Sequence, residues 1–156
     1  MISSWSRAGA ALSPAQLREA RRFAVQMVYQ LEASQQVFLT EPVLVAFFNQ
    51  NEVAAELRDY VQAAAQTVTD KRESIDSHIE ACTSNWKLSR IARVDLAIIR
   101  ICTAELMTRP EVPKDVIIYE GVELGKQFGS TASGGFINGV LDSVAKRIQG
   151  TGESQA

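Results

Sequence analysis

The sequence is poor in the residues that build metal sites and disulfide frameworks. Its 156 residues include two cysteines, Cys82 and Cys102, and one histidine, His78. Two cysteines do not make a disulfide framework, and such scarcity is typical of a protein in a reducing cytoplasm. A structural zinc site needs four ligands, usually with closely paired cysteines. His78 and Cys82 stand one helical turn apart without further ligands of these kinds beside them, so we expect no metal and no cofactor.

Long apolar runs and the motifs of common enzymes are missing as well. No run of about 18 apolar residues exists, which excludes a transmembrane helix. Residues 1–13 lack the apolar centre of a secretory signal, and we interpret them as a flexible arm. No nucleophile motif, phosphate-binding loop or dinucleotide fingerprint is present, and the carboxylates are scattered. We therefore expect a cytoplasmic protein without catalytic residues.

Charge is unevenly distributed along a chain whose formal net charge is only −2. Residues 1–30 carry four arginines and one acid, for a net charge of +3. Residues 31–80 carry three basic and nine acidic groups, for −6, and residues 81–156 carry nine basic and eight acidic groups, for +1. A polyanion would be attracted to the first segment and repelled from the second, which favours one oriented mode of binding.

Helical periodicity dominates the sequence, and no run alternates between apolar and polar residues as a strand would. Ser13, Pro14 and Gln16 predict a helix start with a capping box. Trp86 and Leu88 are predicted to anchor the core in a connection. We expect an all-α protein of about six or seven helices in one compact domain, residues 14–148, followed by a disordered tail, residues 149–156. The predicted helices are 14–35, 42–49, a long stretch from 52 towards 82 with a break near 67–69, 94–108, 114–128 and a last helix from about 135 to 148.

Arginines line one flank of the first predicted helix. At about 100° per residue, Arg18, Arg21, Arg22 and Tyr29 lie beside the apolar stripe of that helix. Arginine binds phosphate through two hydrogen bonds and stacks on bases, so this flank is a candidate RNA surface. A solvated arginine-rich helix face explains the same spacing and stays open as the alternative.

The start of the last predicted helix is a second candidate site. Gly134 and Gly135 leave backbone N–H groups uncovered where the helix dipole is positive, and Phe136 lies at the margin of the apolar stripe. An ordinary capped helix start is the alternative. Two further features predict packing rather than chemistry. Gly121 and Gly125 indicate the close approach of another helix, and Glu105, within the most apolar helix, is predicted to pair with a buried donor or an arginine.

Several stretches resemble the NusB family of bacterial transcription antitermination proteins. The similarity runs from about residue 14 to residue 148, in the same order and with similar spacing. The stretch Phe136-Ile137-Asn138-Gly139-Val140-Leu141-Asp142, preceded by Ser133, is its most specific part. The other matching stretches are residues 21–30, residues 97–101 with Glu105 and Leu106, Val112 and Pro113, Glu120, residues 123–126, and Phe128 with Gly129.

The resemblance implies an all-helical fold of two packed helical bundles and no enzymatic activity. It implies binding of single-stranded boxA-type RNA of ribosomal RNA transcripts, jointly with the ribosomal protein NusE, within an antitermination complex on RNA polymerase. It also allows a homodimer. The residues that it assigns to RNA binding are Arg18, Arg21, Arg22, Ser133 and Phe136, and those that it assigns to the protein partner are Tyr29 and Asp95.

Two other readings of the sequence stay open. A helical protein-interaction module that keeps this fold with weak or no RNA binding would explain the acidic balance of the chain. A metal-dependent enzyme using His78 and Cys82 is the third reading.

Overall fold

The computed structural model describes residues 2–83 and 86–151, and within these residues the chain is helical, with no strand. The chain forms two compact units, unit 1 (Met1–Asp70) and unit 2 (Lys71–Ala156). The described residues contain eight α-helices and one short 3-10 helix, somewhat more than the six or seven helices expected. These are α1 (Ser4–Ala10), α2 (Pro14–Ala33), α3 (Glu41–Gln50), α4 (Ala55–Asp70), α5 (Arg72–Cys82), the 3-10 helix (Leu88–Arg90), α6 (Arg93–Thr108), α7 (Lys114–Phe128) and α8 (Ser133–Thr151).

The N-terminal segment is folded, which corrects the expectation of a flexible arm over residues 1–13. Helix α1 begins at a capping Ser3, whose hydroxyl accepts a hydrogen bond from the Ser6 amide at 3.1 Å. Trp5 is fully buried, and its ring meets that of Tyr60 edge-on at 5.9 Å between centroids, so α1 packs on α4. Burying a tryptophan removes about 150–250 Å² from water, which is enough to hold so short a helix in place.

Helix α2 begins as the sequence predicts. The Ser13 hydroxyl accepts from the Gln16 amide at 3.2 Å, and the Gln16 side chain accepts from the Ser13 amide at 2.9 Å, so the predicted capping box is confirmed. The helix packs on α4 through a buried apolar stripe. The stripe is formed by Ala20, Phe23, Ala24, Val25, Met27, Val28 and Leu31.

The predicted break near residues 67–69 is wrong, because the helix continues to Asp70 and the break falls at Lys71. Thr67 and Thr69 are helical, and their hydroxyls donate to the carbonyls one turn earlier, at 2.8 Å to Ala63 and 3.0 Å to Ala65. This back-bonding satisfies the hydroxyl inside the helix and removes its competition with the backbone.

Helix α6 is the centre of unit 2 and contacts α5, α7 and α8. Its residues Asp95–Leu106 are all buried, as expected for a helix that is apolar on nearly every side. The buried Glu105 carboxylate accepts a hydrogen bond from Arg109 at 3.0 Å, which confirms the predicted pairing. Arg100, also buried, donates two hydrogen bonds to Asp76 of α5, at 2.9 and 3.1 Å.

Helices α7 and α8 approach closely at the two glycines that the sequence singled out. A Cβ atom at Gly121 would lie 2.9 Å from Cys102 Sγ, and one at Gly125 would lie 2.5 Å from Ile137 Cδ1. The predicted close approach is therefore confirmed, and it sets α8 against α7. Helix α8 runs on to Thr151, so residues 149–151 are helical rather than a disordered tail. Residues 152–156 lie outside the described part of the chain.

Candidate nucleic-acid interface

The arginine flank of α2 is partly exposed to solvent. Arg18 is exposed. Arg22 has a third of its side chain exposed, with its guanidinium 3.8 Å from the Glu19 carboxylate and 4.3 Å from the centre of the Phe23 ring. An exposed ion pair of this length contributes little to stability, so the Arg22 guanidinium could exchange this partner for a phosphate.

Arg21 differs from its two neighbours, because it is only 4% exposed. It stands three residues before Ala24 and four before Val25, both buried, so it falls within the packed stripe of the helix. Its assignment to RNA stays a prediction, but in the free chain its guanidinium is not presented to solvent as Arg18 is. Further along α2, Tyr29 is 38% exposed, and its role towards a partner likewise stays a prediction.

The turn before α8 is built around Ser133, which is 1% exposed. Its hydroxyl accepts a hydrogen bond from the Ser130 amide at 2.9 Å and so closes the turn that links α7 to α8. Gly129 permits this closure, since a Cβ atom there would lie 2.6 Å from Ser133 Cβ and 2.8 Å from the Gly125 carbonyl oxygen. In the free chain Ser133 therefore stabilises the turn through this hydrogen bond. Its direct contact with RNA stays a prediction.

Phe136 lies in the first turn of α8, which begins at Ser133, two residues earlier than predicted. Its side chain is half-buried. On either side along the helix, Gly135 and Gly139 have open space where a Cβ atom would lie. No neighbouring side chain at these two positions would obstruct a base approaching the ring, which suits the predicted stacking role.

Asp95 stands in the first turn of α6 and is 7% exposed. Its Oδ1 atom has no hydrogen-bond partner within residues 2–83 and 86–151. A buried acceptor left without a donor costs about 1–3 kcal/mol. Such an atom is suited to a donor from another molecule, which agrees with the predicted contact to a protein partner.

The metal-site reading of His78 and Cys82 finds no support in the geometry. His78 is buried, and its Nδ1 atom accepts a hydrogen bond from Arg147 at 3.2 Å. Burial raises the pKa of the Cys82 thiol, and the nearby Arg147 lowers it by less, so the neutral thiol is favoured over the thiolate that binds metals. No group of three or more His, Cys, Asp and Glu side chains in the described residues could hold a metal ion.

A cationic segment that the sequence analysis did not single out leads into α6. Trp86, predicted to anchor the core, is 55% exposed, so that prediction is wrong; Leu88 is half-buried. Lys87, Arg90 and Arg93 are all exposed. The signal in the sequence is a run of eight residues, 86–93, with three cations and no acid. We call residues 86–93 the basic–aromatic segment.

Comparison with known proteins places the chain in a family. The NusB family model matches residues 18–146. A transcription antitermination protein NusB of Sorangium cellulosum is 40% identical over 129 residues, which cover 82% of this chain and 90% of that protein. A protein of the same description from Anaeromyxobacter dehalogenans is 39% identical over 130 residues, which cover 83% of this chain and 89% of its own length.

Solved structures show the same fold. T. maritima NusB superposes with a TM-score of 0.74 at 26% identity, covering 83% of this chain and 89% of its own. The NusB chain in a crystal structure of the antitermination factors NusB and NusE in complex with double-stranded RNA superposes with a TM-score of 0.75 at 21% identity, covering 86% of this chain and 99% of its own. Among the described residues, no helix combines the length and the apolar character that a membrane span requires. With sequence, family model and fold in agreement, the chain belongs to the NusB family.

Proposed function

We propose that this chain binds single-stranded boxA-type RNA of ribosomal RNA transcripts together with NusE, as part of an antitermination complex on RNA polymerase in the cytoplasm. The NusB family is one of transcription antitermination factors and not of enzymes. The observation that carries the proposed RNA binding is the pair of arginines on α2 that reach solvent, the exposed Arg18 and the partly exposed Arg22.

The guanidiniums of Arg18, which is exposed, and of Arg22, which is partly exposed, would supply sequence-independent affinity. Arg18 and Arg22 lie four residues apart and therefore on the same side of α2, where consecutive phosphates of one strand can meet both. Neutralising phosphates releases counterions, so binding should weaken steeply as salt is added. Sequence preference would come from bases stacked and hydrogen-bonded near Phe136.

NusE would bind at Asp95 and Tyr29. The unpartnered Oδ1 of Asp95 would gain a donor from the partner, and the exposed ring of Tyr29 would supply contact area. NusE should then strengthen RNA binding by extending the RNA-binding surface.

The protein-interaction module remains the second candidate. Burial of Arg21 and Ser133 removes two of the five groups assigned to RNA from the solvent-facing surface of the free chain. Such a module would bind NusE with normal affinity and RNA weakly, with little dependence on salt.

The test is fluorescence anisotropy of a labelled boxA-type RNA with the full chain, with and without NusE, at two salt concentrations. We expect Arg18→Gln with Arg22→Gln to weaken binding by about a hundredfold or more, since hydrogen bonds to charged groups contribute about 1.5–3 kcal/mol each. The slope of log K against log salt should fall by about 1.4, because each phosphate contact to a single strand contributes about 0.7.

A matched control removes two exposed cations elsewhere, Lys71→Gln with Lys114→Gln. Equal losses in the control and in the α2 double variant would mean that only net charge matters and would remove the assignment of α2. Absence of RNA binding by the folded wild-type chain with NusE bound would favour the interaction module.

A further inference from the structure

The cations of the basic–aromatic segment have no partners among residues 2–83 and 86–151, the part of the chain that the structure describes. The side chains of Lys87, Arg90 and Arg93 form no ion pair or hydrogen bond with any described residue. Two other exposed lysines of unit 2 are neutralised locally, since Lys126 lies 3.6 Å from Glu123 and Lys146 lies 3.2 Å from Asp142. The segment is therefore a site of uncompensated positive charge in a unit that otherwise pairs several of its cations.

Arg93 stands where a cation is electrostatically unfavourable. It is the first residue of α6, at the positive end of the helix dipole, and the capping position before it is Ala92, which provides no side-chain cap. Removing this positive charge would, if anything, stabilise the helix. The cation is thus explained better by attraction of an anion from outside than by the stability of the fold.

Trp86 adds an aromatic surface to this charge. Its side chain is 55% exposed, next to Lys87 in the chain. Cations beside an exposed aromatic ring are what proteins use to bind single-stranded nucleic acid, because phosphates meet the cations while a base stacks on the ring. An acidic protein segment would use the cations but would leave the tryptophan without a function.

The helices of unit 2 bring this segment to the same end of the unit as Phe136. A Cβ atom at Gly121 would lie 2.9 Å from Cys102 Sγ and 3.0 Å from Leu141 Cδ1, so these residues of α6, α7 and α8 share one level. Short connections, 109–113 and 129–132, make consecutive helices antiparallel, so α6 and α8 run in the same direction. Arg93 lies nine residues before Cys102 in α6, which is about 13 Å along the helix axis. Phe136 lies five residues before Leu141 in α8, which is about 8 Å in the same direction.

We propose that the basic–aromatic segment is a second contact for single-stranded RNA, which binds nucleotides flanking those held near Phe136. Lys87, Arg90 and Arg93 bind three phosphates, and Trp86 stacks on one base. The proposal rests on the proposed function, because the first contact brings the flanking strand to this end of unit 2. It predicts that RNA longer than the core element binds more tightly and with a stronger dependence on salt.

The test compares two labelled RNAs by fluorescence anisotropy with the full chain and NusE. One is a boxA-type element of about twelve nucleotides, and the other is the same element with about ten uridines added at each end, within the range of single-strand site sizes. We expect the wild type to prefer the longer RNA. Lys87→Gln, Arg90→Gln and Arg93→Gln together should abolish that preference and reduce the salt slope for the longer RNA by about 2.

Two controls separate the segment from general effects. Lys71→Gln, Lys114→Gln and Lys146→Gln remove the same charge from other exposed positions of unit 2 and should leave the preference intact. Trp86→Ala should weaken binding of the longer RNA by about tenfold, whereas Trp86→Phe keeps an aromatic ring and should retain most of the affinity. Because Trp5 is fully buried, quenching of tryptophan emission by RNA should be lost in Trp86→Phe.

The outcomes distinguish the two proposals. Equal affinity of the wild type for both RNAs, or an unchanged preference in the triple variant, overturns the second contact while the proposed function stands. Binding of the longer RNA alone, lost in the triple variant, supports the segment and contradicts the assignment of α2 and Phe136. A triple variant that loses NusE rather than RNA makes the segment a protein contact and overturns the proposal.

Discussion

At the scale of single residues, the carboxylate of Asp95 has the least complete hydrogen bonding of the two groups assigned to the protein partner. It is buried at the start of α6, and Oδ1 accepts no hydrogen bond from the described residues. The dipole of α6 stabilises the negative charge by about 0.3–1 kcal/mol. Asp95 would therefore gain a hydrogen bond when a partner brings a donor to Oδ1.

We expect Asp95→Asn to weaken binding of NusE by about tenfold, because a hydrogen bond to a charged group becomes one to a neutral group. Stability should change by no more than about 1 kcal/mol. Isothermal titration calorimetry with NusE and thermal unfolding measure the two effects. Asp115→Asn, an exposed first-turn acid of α7, is the control and should leave NusE binding unchanged. Wild-type affinity in Asp95→Asn would show that this carboxylate does not face the partner.

Which of the α2 arginines are exposed was only partly predictable. The spacing placed Arg18, Arg21 and Arg22 on one flank, and the structure exposes Arg18 but buries Arg21. The width of a buried stripe depends on what packs against the helix, here α4, and the periodicity of α2 alone does not contain that information. The prediction that Trp86 is buried was wrong for the same reason, since a large apolar residue in a connection is buried only if another element covers it.

At the scale of elements, the turn between α7 and α8 determines where Phe136 stands. The Ser133 hydroxyl closes the turn on the Ser130 amide, and Gly129 makes room for it. The backbone of Gly129 has φ −97°, which any residue adopts, so the requirement for glycine comes from space and not from conformation.

Gly129→Ala should destabilise the protein by about 1–3 kcal/mol, the usual cost of forcing extra volume into a packed site. Gly139→Ala is the matched control, since nothing lies within 4 Å of its Cβ position in α8, and alanine there should stabilise the helix by up to about 1 kcal/mol. Urea unfolding measures both. A neutral effect of Gly129→Ala would mean that the turn rearranges without cost.

The elements themselves were largely predictable where capping residues and breakers agree with the apolar pattern. The start of α2 and both ends of α7 match the predicted positions, because Ser13 with Pro14, Pro113 and Gly129 mark them in the sequence. Helix α1 was missed because seven residues give too little periodicity, and it depends on one tertiary contact, that of Trp5 with Tyr60. No proline or glycine marks the break at Lys71 in the sequence, so the break could not be predicted from these residues.

At the scale of the whole molecule, protease sites are distributed unevenly between helices and connections. Connection 34–40 contains no lysine or arginine, whereas the connection between α5 and α6 contains the exposed Lys87 and Arg90. Arg7 lies within α1, held by the buried Trp5, and its guanidinium donates to the Ile2 carbonyl at 2.7 Å.

Limited trypsin digestion should therefore cut first after Lys87 or Arg90 and leave the bond after Arg7 intact, since proteolysis favours exposed loops. Mass spectrometry of the first fragments identifies the bond that trypsin cuts first. Trp5→Ala should detach α1 and make Arg7 an early site. Early cleavage after Arg7 in the wild type would restore the interpretation of residues 1–13 as a flexible arm.

The fold class and the family were predicted from two independent features of the sequence. Periodicity alone predicted an all-α fold, because the apolar spacing of α2, α6 and α8 fits no strand. Function did not follow from periodicity, and the net charge of −2 argued against a nucleic-acid ligand until its distribution was considered. The stretch from Phe136 to Asp142 provided the link to a family, which the comparisons then established.

The glycines of α7 also restrict how the length of the chain can vary among relatives. Gly121, Gly125 and Gly129 are spaced by four residues, so they follow one ridge of the helix and its end, and each faces a neighbour that leaves no room for a side chain. An insertion of one residue between them would rotate the later glycines by about 100° and direct side chains into α8. Natural insertions and deletions should therefore be absent from α7 and accumulate in connections such as residues 34–40, which precede α3.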